Sequence, residues 1–526
     1  MLLTVLITGG AALGIEMLAA RVMAPFFGTS QPIWAAVIGT TLGALALGYA
    51  LGGRLAARGA GARTLYGLVL AAGVLSVLIA PLANPLLRIA SSAIGEVAVA
   101  GFAGALVGVL VLFVPPVLLL AAIGPIAVGA RVAAGADAGR AAGTISALST
   151  VGSIIGTFLT VLVLIPAIGS TRSLLLFAAV LLVLGALGLQ TRRATALATV
   201  AGLVIIVLAS GIGQLKTAGC TGCTLLAERE SGENYIQIVR RDAGPLGPQV
   251  ALLLNEGFAV HSVYNERYSG TRDARSLLTG GGPWDYFAVA PFFAANRDET
   301  RPPSLAMIGS AGGTVPAQFL AIFGPETRID AVEIDPAISA MAREYMHLRD
   351  ASVDPQHPNY QVHDADGRVW LAQASGSYDV IGMDAYRQPY IPFHLTTVEF
   401  FALVRSRLTV DGVAVVNAGL GPGGDDRLVR ALTTTMRQVF PNVYVVQTLR
   451  RGNQILVGVN RDDGDGIANL AANYNRLRSP ALRETIASMQ ARADRPTPQD
   501  PAPFTDDHAP VEQVIDALIL RAVSGE

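Results

Sequence analysis

Lysine is almost absent from this sequence, because Lys216 is the only one among its 526 residues. A Schiff-base lysine or the lysine of a phosphate-binding P-loop would have to be this residue, and it stands in neither context. Cysteine is nearly as scarce, since Cys220 and Cys223 form a single Cys-x-x-Cys pair. A structural zinc site needs about four ligands, so no metal is expected. The pair is therefore either a disulfide or two inert thiols.

Acidic residues are also scarce before Lys216, where only Glu16, Glu96 and Asp137 occur. The chain is 52% hydrophobic and has a mean hydropathy of +0.49, which is high for an ordinary soluble enzyme. This break in composition predicts two environments, lipid first and water second. The net charge of −1 gives no reason to expect a nucleic-acid partner.

Long apolar blocks predict a polytopic α-helical bundle in the lipid bilayer over residues 1–215. Each block is long enough to cross about 30 Å of hydrocarbon as a helix, and the first lacks a cleavage site, so it is a retained helix. The blocks cover residues 2–26, 32–54, 64–88, 98–131, 141–167, 173–190 and 195–215. Because the fourth contains Pro115 and Pro116, it is one kinked helix or two short ones, which gives seven or eight crossings.

Arginine positions bear on the orientation of this bundle. Three connecting loops are rich in arginine: Arg54, Arg58 and Arg63, then Arg131 and Arg140, then Arg192 and Arg193. Seven crossings place all three loops on one side, the cytoplasm by the positive-inside rule, and the C-terminal domain on the other. Eight crossings place that domain inside but scatter the arginines.

Two charged residues, Glu16 and Arg21, stand inside the first apolar block. Charges at membrane depth are costly unless they are paired or solvated. A five-residue spacing does not stack them on a helix, so we expect partners on other helices. They indicate either a buried polar site or an interfacial pair that fixes the helix ends.

From about residue 225 the pattern changes to that of a water-soluble α/β domain. Residues 235–239 and 250–254 predict neighbouring β-strands in a linker and small β-strand subdomain over 216–290. Over 291–526, apolar strands alternate with helices, which is typical of a doubly wound, Rossmann-like sheet of the S-adenosylmethionine methyltransferase type. The predicted strands cover 304–309, 328–334, 378–383 and 411–417, the predicted helices 314–323, 336–347 and 395–408, and a tail at 496–512 is expected to pack back as a loop.

Open α/β sheets bind ligands at the carboxyl ends of their strands. In this sequence, the carboxyl ends of the predicted strands carry residues suited to a nucleoside ligand. The first strand is followed by a glycine-rich turn that lets the backbone approach a ligand closely, with Gly309, Gly312 and Gly313. Glu333 ends the second strand, where a carboxylate can accept both hydroxyls of a ribose.

Two further strand ends complete this pattern. Asp366 and Gly367 follow His363–Ala365, where the Asp side chain can bond an adenine amino group, and Asp384 follows the strand 378–383, beside the reacting end of the cofactor. Each acidic residue alone is more often a helix cap. Together they favour an adenosine-type cofactor, of the S-adenosylmethionine class rather than NAD.

Residues 225–420 resemble the spermidine synthases (polyamine aminopropyltransferases), in particular the branch with an N-terminal integral membrane half. The motifs shared with the family are the glycine loop, Val332–Asp335, Asp366-Gly367 and Tyr378–Ile381 with Asp384. Residues 386–397, Leu254–Gly257 and, beyond that range, the tail Thr505–Glu512 resemble the membrane branch more than the soluble enzymes. The resemblance implies aminopropyl transfer from decarboxylated S-adenosylmethionine to a small-molecule amine, with release of methylthioadenosine.

The resemblance also implies roles for individual residues. Asp384 matches the proton acceptor, Glu333 the ribose ligand, and Asp366 with Gly367 the adenine contact. Asn234 falls where the family has a glutamine that contacts the cofactor, with Gln237 as the weaker alternative.

The sequence departs from the soluble members in the acceptor pocket. Gly312 stands where they have an Asp, and Arg387 or Gln388 where they have a second Asp near the catalytic one. An arginine beside a dicationic amine is repulsive, so putrescine fits this pocket poorly.

The predicted acceptor contacts are Trp284, Asp285 and Tyr386. Of these, Trp284-Asp285 stands where the soluble members have a His-Glu pair.

Two alternatives to aminopropyl transfer remain open. One is methyl transfer to a membrane-presented acceptor, and the other is a transporter or sensor that binds a nucleoside or polyamine without turnover.

The protein is expected in the cell membrane as a multi-pass protein and a homodimer. Its catalytic domain is expected in the cytoplasm, where this cofactor class is made, against the arginine count for seven crossings.

Overall fold

The computed structural model divides into two compact units. One comprises Met1–Thr217 with Glu230–Tyr235, and the other Ala218–Arg229 with Ile236–Glu526. The described residues are 1–27, 31–93, 98–190, 202, 222–255, 259–386, 391–421, 424–450, 452–462, 464–490, 492–495, 502–511 and 513–515. Outside them lie Glu96, Arg192, Arg193, Cys220, Arg387, Gln388, parts of the 496–512 tail and, apart from residue 202, the seventh apolar block.

Between residues 2 and 189, the described part of the first unit consists of helices joined by short turns, which confirms the predicted α-helical bundle. Its helices are α1 Leu2–Phe27, α2 Gln31–Ala57, α3 Ala62–Ala93, α4 Ala98–Leu112, α5 Val114–Ala121, α6 Ile123–Ala133, α7 Ala138–Leu159, α8 Ile165–Ile168 and α9 Ser170–Leu189, with a π-helical turn at Thr160–Leu164. Within the described part of the chain, six helical stretches are long and apolar enough to cross a membrane.

The fourth apolar block is one kinked helical path. It breaks at Phe113 and Ala122, yet both residues keep right-handed helical dihedral angles. The break adjoins Pro115 and Pro116, which have no N–H to donate to the preceding turn. This geometry supports a single kinked crossing over 98–133.

Helices α1 and α7 approach each other closely because glycines line their contact. A Cβ atom added to Gly152 or Gly156 would overlap the backbone of α1, and Ser153 donates a hydrogen bond to the carbonyl of Gly9 over 3.1 Å. Small residues and hydroxyl bonds of this kind favour helix association in lipid.

Glu16 lies inside the bundle, with 5% of its surface exposed. The side chain of Thr41 in α2 interacts with it, so a polar neighbour is on another helix, as expected. Arg21 donates to the carbonyl of Ser231 over 3.1 Å, within the segment Glu230–Tyr235 that belongs to this unit.

The second unit contains two β-sheets. The strands are β1 Thr224–Glu230, β2 Tyr235–Asp242, β3 Pro248–Leu254, β4 Val260–Asn265, β5 Leu305–Ile308, β6 Ile329–Glu333, β7 Tyr360–Asp364, β8 Tyr378–Met383, β9 Leu408–Gly419, β10 Asn442–Gln447, β11 Asn453–Val459 and β12 Ala493–Asp494. The helices are α10 Arg267–Thr271, α11 Thr314–Phe323, α12 Pro336–Tyr345, α13 Gly367–Gln373, α14 Val398–Ser406, α15 Arg427–Arg437, α16 Gly466–Tyr474 and α17 Pro480–Gln490. Short 3₁₀ turns cover Gly244–Leu246, Ala274–Leu277, Pro283–Tyr286, Ala290–Phe293 and Phe393–Leu395.

The larger sheet has the strand order β12-β10-β11-β9-β8-β5-β6-β7. Strands β5 to β9 pair in parallel, whereas β9, β11, β10 and β12 pair antiparallel. Phe319 of α11 and Ile338 of α12 belong to the apolar core on one face, and Phe400 of α14 and Leu432 of α15 to the core on the other. The predicted doubly wound α/β fold is therefore confirmed.

The smaller sheet has the order β1-β2-β3-β4, and its Ile236 and Leu252 pack in the same core as Phe319. The tail also packs back as predicted, because Phe504 and Val511 are buried. A boundary at 290/291 within this unit stays a prediction. Cys223 is disulfide-bonded, which agrees with the first of the two expectations for the cysteine pair.

Candidate active site

Asp384 follows β8 at the carboxyl end of the parallel strands. Its N–H donates to the carbonyl of Ile308 in β5 over 2.9 Å, so it lies beside the glycine-rich turn after β5. Gly309 permits this approach, because its φ is +77° and a Cβ there would lie 2.6 Å from the carbonyl oxygen of Asp384. Since the chain moves from β5 to β6 on one side while β8 lies on the other, this is the crevice where doubly wound sheets bind ligands.

Both carboxylate oxygens of Asp384 accept a hydrogen bond from a side chain. Nε1 of Trp284 donates to Oδ2 over 2.8 Å, and Nδ2 of Asn417 donates to Oδ1 over 2.7 Å. Burial raises the pKa of Asp384 to about 7, while the bonds from Asn417 and Trp284 oppose that rise. A carboxyl with this pKa is suited to take a proton near neutral pH.

A second layer of bonds fixes Asn417. Asn453 of β11 donates to its side-chain oxygen over 2.9 Å. Tyr386, a predicted acceptor contact, donates its hydroxyl to the Asn417 carbonyl over 2.9 Å and accepts from the N–H of Gly419 over 2.7 Å. Burial raises the pKa of Tyr386 above its ordinary value, so the hydroxyl stays protonated and binds as a donor to β9.

Asp285 is 3% exposed, and its carboxylate accepts hydrogen bonds from inside the domain. The donors are the N–H and hydroxyl of Thr279 at 2.8 and 2.9 Å, the N–H of Gly281 at 2.9 Å and the side chain of Gln318 at 2.9 Å. These bonds fix the loop that carries Trp284. A direct contact of Asp285 with an acceptor stays a prediction.

Glu333 ends β6 and turns its carboxylate toward the glycine-rich turn. The N–H of Ala311 donates to Oε2 over 2.9 Å, and the N–H of Asp335 donates to Oε1 over 3.1 Å. Burial raises the pKa of Glu333 to about 7. The carboxylate is thus held at the strand end predicted for the ribose ligand, and it retains lone pairs for further donors.

Asp366 is the N-cap of α13, as the alternative interpretation of this residue predicts. Its Oδ1 accepts from the N–H groups of Arg368 and Val369 at 3.0 Å each, and its Oδ2 lies 3.0 Å from Nε2 of His394. Gly367 packs tightly, since a Cβ there would overlap the side chain of Ile308. Capping does not exclude an adenine contact, which stays a prediction.

The remaining predicted cofactor residues are placed differently. The N–H of Gly312 donates to the hydroxyl of Ser262 over 2.9 Å, and Gly313 is the residue that precedes α11, with a φ of +83°. Asn234 belongs to the first unit, where its backbone forms a tight turn with Ser231. Its cofactor contact stays a prediction.

Two residues of the site were not predicted from the sequence. Asn417 bonds Asp384 directly, and Asn453 acts indirectly through its bond to Asn417. A signal existed for Asn417, because it interrupts the apolar run 413–418 near the end of β9. Asn453 has no comparable signal, since only the antiparallel pairing of β11 with β9 brings it beside Asn417.

Comparison with known proteins finds relatives of two kinds. Residues 307–452 match the model of the spermine/spermidine synthase domain. A probable polyamine aminopropyl transferase of Bifidobacterium longum (strain NCC 2705) is 31% identical over 335 residues, which cover 61% of this chain and 69% of that protein. A polyamine aminopropyltransferase of Vibrio vulnificus (strain CMCP6) is 32% identical over 163 residues, which cover 30% of this chain and 51% of that protein.

The second kind of relative is a methyltransferase. An eEF1A lysine and N-terminal methyltransferase of Mus musculus is 30% identical over 165 residues, which cover 30% of this chain and 22% of that protein. The similar region thus spans about two thirds of the first aminopropyltransferase, half of the second and a fifth of the methyltransferase.

Proposed function

The chain belongs to the spermine/spermidine synthase family of transferases, and from that premise we propose that it is a membrane-bound aminopropyltransferase. Its donor is decarboxylated S-adenosylmethionine, its acceptor is a small-molecule amine, and its product is methylthioadenosine. The observation that carries the proposal is the carboxylate of Asp384, which is half-buried, held by Trp284 and Asn417, and has a pKa of about 7.

The reaction needs a base because only a neutral amine has the lone pair that attacks carbon. The amine nitrogen forms a bond to the methylene carbon beside the sulfonium, the carbon–sulfur bond breaks, and its electron pair passes to sulfur. The proton that the amine loses goes to Asp384. Two fixed donors orient the carboxylate for this transfer and favour its ionised form.

The donor substrate fits the strand ends beside Asp384. Each oxygen of the Glu333 carboxylate accepts from a backbone N–H, at 2.9 and 3.1 Å, and a carboxylate has further lone pairs that can accept from the hydroxyls of a ribose. The glycine-rich turn 309–313 would let the protein backbone come close to the donor substrate near its sulfonium group. Asp366 and Gly367 lie at the next strand end, where an adenine would bind.

Purified full-length protein tests the reaction directly. It is incubated with decarboxylated S-adenosylmethionine or with S-adenosylmethionine, together with a panel of amines, and methylthioadenosine and S-adenosylhomocysteine are followed by mass spectrometry. Amine-dependent release of methylthioadenosine supports the proposal. Release of S-adenosylhomocysteine alone would contradict it.

Methyl transfer is the second candidate, and the identity to the methyltransferase named above favours it. A methyltransferase also needs an adenosyl sulfonium and, for an amine acceptor, a base. The same assay separates the two reactions, because their nucleoside products differ.

The location of the catalytic domain is part of the proposal. We assign it to the cytoplasmic face of the cell membrane, where the donor is made. Two observations favour the opposite side: the arginine-rich loops, if the bundle has seven crossings, and the disulfide at Cys223, since disulfides persist in oxidising compartments.

A further inference from the structure

Two arginines of the catalytic unit lie close together without a carboxylate partner among the described residues. Arg241 is on β2 and donates to Oε1 of Gln249 over 3.2 Å, while its buried Nε has no hydrogen-bond partner in the described part of the chain. Arg450 is in the turn between β10 and β11. Burial and the charge of Arg450 both lower the pKa of Arg241, and the loop at Gly280 lies against both the Arg450 side chain and the turn that follows Arg241.

The loop at Gly280 connects these arginines. A Cβ added to Gly280 would lie 3.4 Å from Nη2 of Arg450 and 3.5 Å from the side chain of Leu246. Leu246 belongs to the turn between Arg241 and Gln249, which pair across β2 and β3. Two guanidinium groups in such proximity repel each other, and a bound anion removes that repulsion.

Short chain segments connect the arginine pair to the two residues that donate to Asp384. The loop that contacts Arg450 at Gly280 continues to Trp284, whose indole bonds Asp384. A second connection runs from the turn of Arg450 through Asn453 and Asn417 to the same carboxylate. The glycine-rich turn and Glu333, where the donor is expected, approach Asp384 from β5 and β6 instead.

We propose that Arg241 and Arg450 bind an anionic group of the acceptor, a carboxylate or a phosphate, so that the acceptor is an amine with an anion at its other end. The inference rests on the proposed function, because Asp384 takes the proton of the amine. The anionic group is unchanged in the reaction: a carbon–nitrogen bond forms, the carbon–sulfur bond breaks toward sulfur, and one proton moves to Asp384. Guanidinium groups match carboxylate and phosphate oxygens with paired hydrogen bonds, whereas they repel the second ammonium of a diamine.

The test compares matched acceptors of the same chain length on the full-length protein. The probes are 1,4-diaminobutane, 4-aminobutyrate and 4-aminobutyl phosphate, with shorter and longer series of each. Binding is measured by calorimetry with methylthioadenosine present, and turnover by release of methylthioadenosine from the decarboxylated donor. We expect an anionic series to bind at least about tenfold more tightly than the diamines, with the carboxylate and phosphate arms identifying which anion is preferred.

Variants assign this preference to the two arginines. Arg450→Glu and Arg241→Gln should weaken the anionic series by about 10- to 100-fold while leaving methylthioadenosine affinity unchanged, which also shows that the domain is folded. The matched control is Arg240→Gln, because Arg240 is adjacent in sequence but forms an exposed ion pair with Glu266.

The outcomes separate this inference from the proposed function. Diamines that bind as tightly as the anionic amines, or no binding of either class, would overturn the anion site, and so would anionic binding that survives both variants. Anionic binding that depends on the arginines, with no methylthioadenosine released from any amine, would support the site and overturn aminopropyl transfer.

Discussion

Trp284 donates its indole N–H to Oδ2 of Asp384 over 2.8 Å, although the two residues are 100 positions apart in the chain. Since Asn417 donates to the other oxygen, the carboxylate has one fixed donor on each side. Burial alone would disfavour its ionised form, and the two donors counteract that effect, which leaves the pKa at about 7. This balance is what a general base at neutral pH requires.

Asp384→Asn should abolish turnover while methylthioadenosine still binds with nearly unchanged affinity. The amide keeps the shape of the side chain but cannot take a proton from the amine. Loss of a general base costs about 10²–10⁴ in rate, measured as kcat for methylthioadenosine release. The matched control is Asp411→Asn, because Asp411 is an exposed partner of Arg461. If Asp384→Asn turns over normally and keeps its Tm, Asp384 only caps the following loop.

Trp284→Phe should shift the pH dependence of the reaction. The acid limb of kcat/KM in the wild type is expected near pH 7 rather than near 4, because only the ionised Asp384 is a base and burial raises its pKa. Phenylalanine keeps an aromatic ring but removes the N–H that stabilises the carboxylate, so the pKa rises further. We expect the limb to move to higher pH by about one pH unit.

The Trp284→Phe profile is compared with that of Asn453→Ala, which removes a donor to Asn417 rather than to Asp384. Its shift should be in the same direction and smaller. A Trp284→Phe enzyme with a lower kcat but an unmoved acid limb would show that the indole acts on the acceptor and not on the base.

The strand ends of this site could be predicted from the sequence, because each apolar strand is followed by an acidic or glycine-rich turn. That pattern placed Glu333 and Asp384 at strand ends, and in the structure their strands, β6 and β8, pair in parallel with the two sides of β5. The partners of Asp384 could not be predicted in the same way. Trp284 comes from a 3₁₀ turn before the sheet, and Asn417 reaches Asp384 from the adjacent β9.

The antiparallel strands β10 to β12 were likewise not predicted. Strands β10 and β11 are joined by a short turn without an intervening helix, and β12 is only two residues long, so neither fits the alternation of strand and helix on which the parallel part of the sheet was recognised. Asp366 illustrates a different limit, since one residue type serves two purposes. A sequence pattern does not distinguish a helix cap from a ligand, and here the cap is formed.

Glu333→Ala should weaken methylthioadenosine binding by several-fold to about a hundredfold. Hydrogen bonds from ribose hydroxyls to a carboxylate contribute about 1.5–3 kcal/mol, and calorimetry measures their loss. The control is Glu326→Ala, because Glu326 is exposed. Unchanged affinity in a folded Glu333→Ala protein would place the ribose elsewhere.

If the donor reaches the catalytic domain from the cytosol, Cys220 and Cys223 should be protected from an impermeant thiol reagent in intact cells, with and without prior reduction.

The control is a reporter cysteine at Ala134, in the exposed turn between α6 and α7. It is labelled in parallel, in a chain that lacks the two native cysteines. By the positive-inside rule this turn is cytoplasmic, since Arg131 and Arg140 flank it. Two helical crossings, α7 with α8 and then α9, separate Ala134 from the 195–215 block. Protection of both sites therefore means that this block does not cross. Labelling of the native cysteines with Ala134→Cys protected means that it crosses, that the domain faces outward, and that a cytosolic donor is excluded. Labelling in permeabilised cells confirms that every site can react.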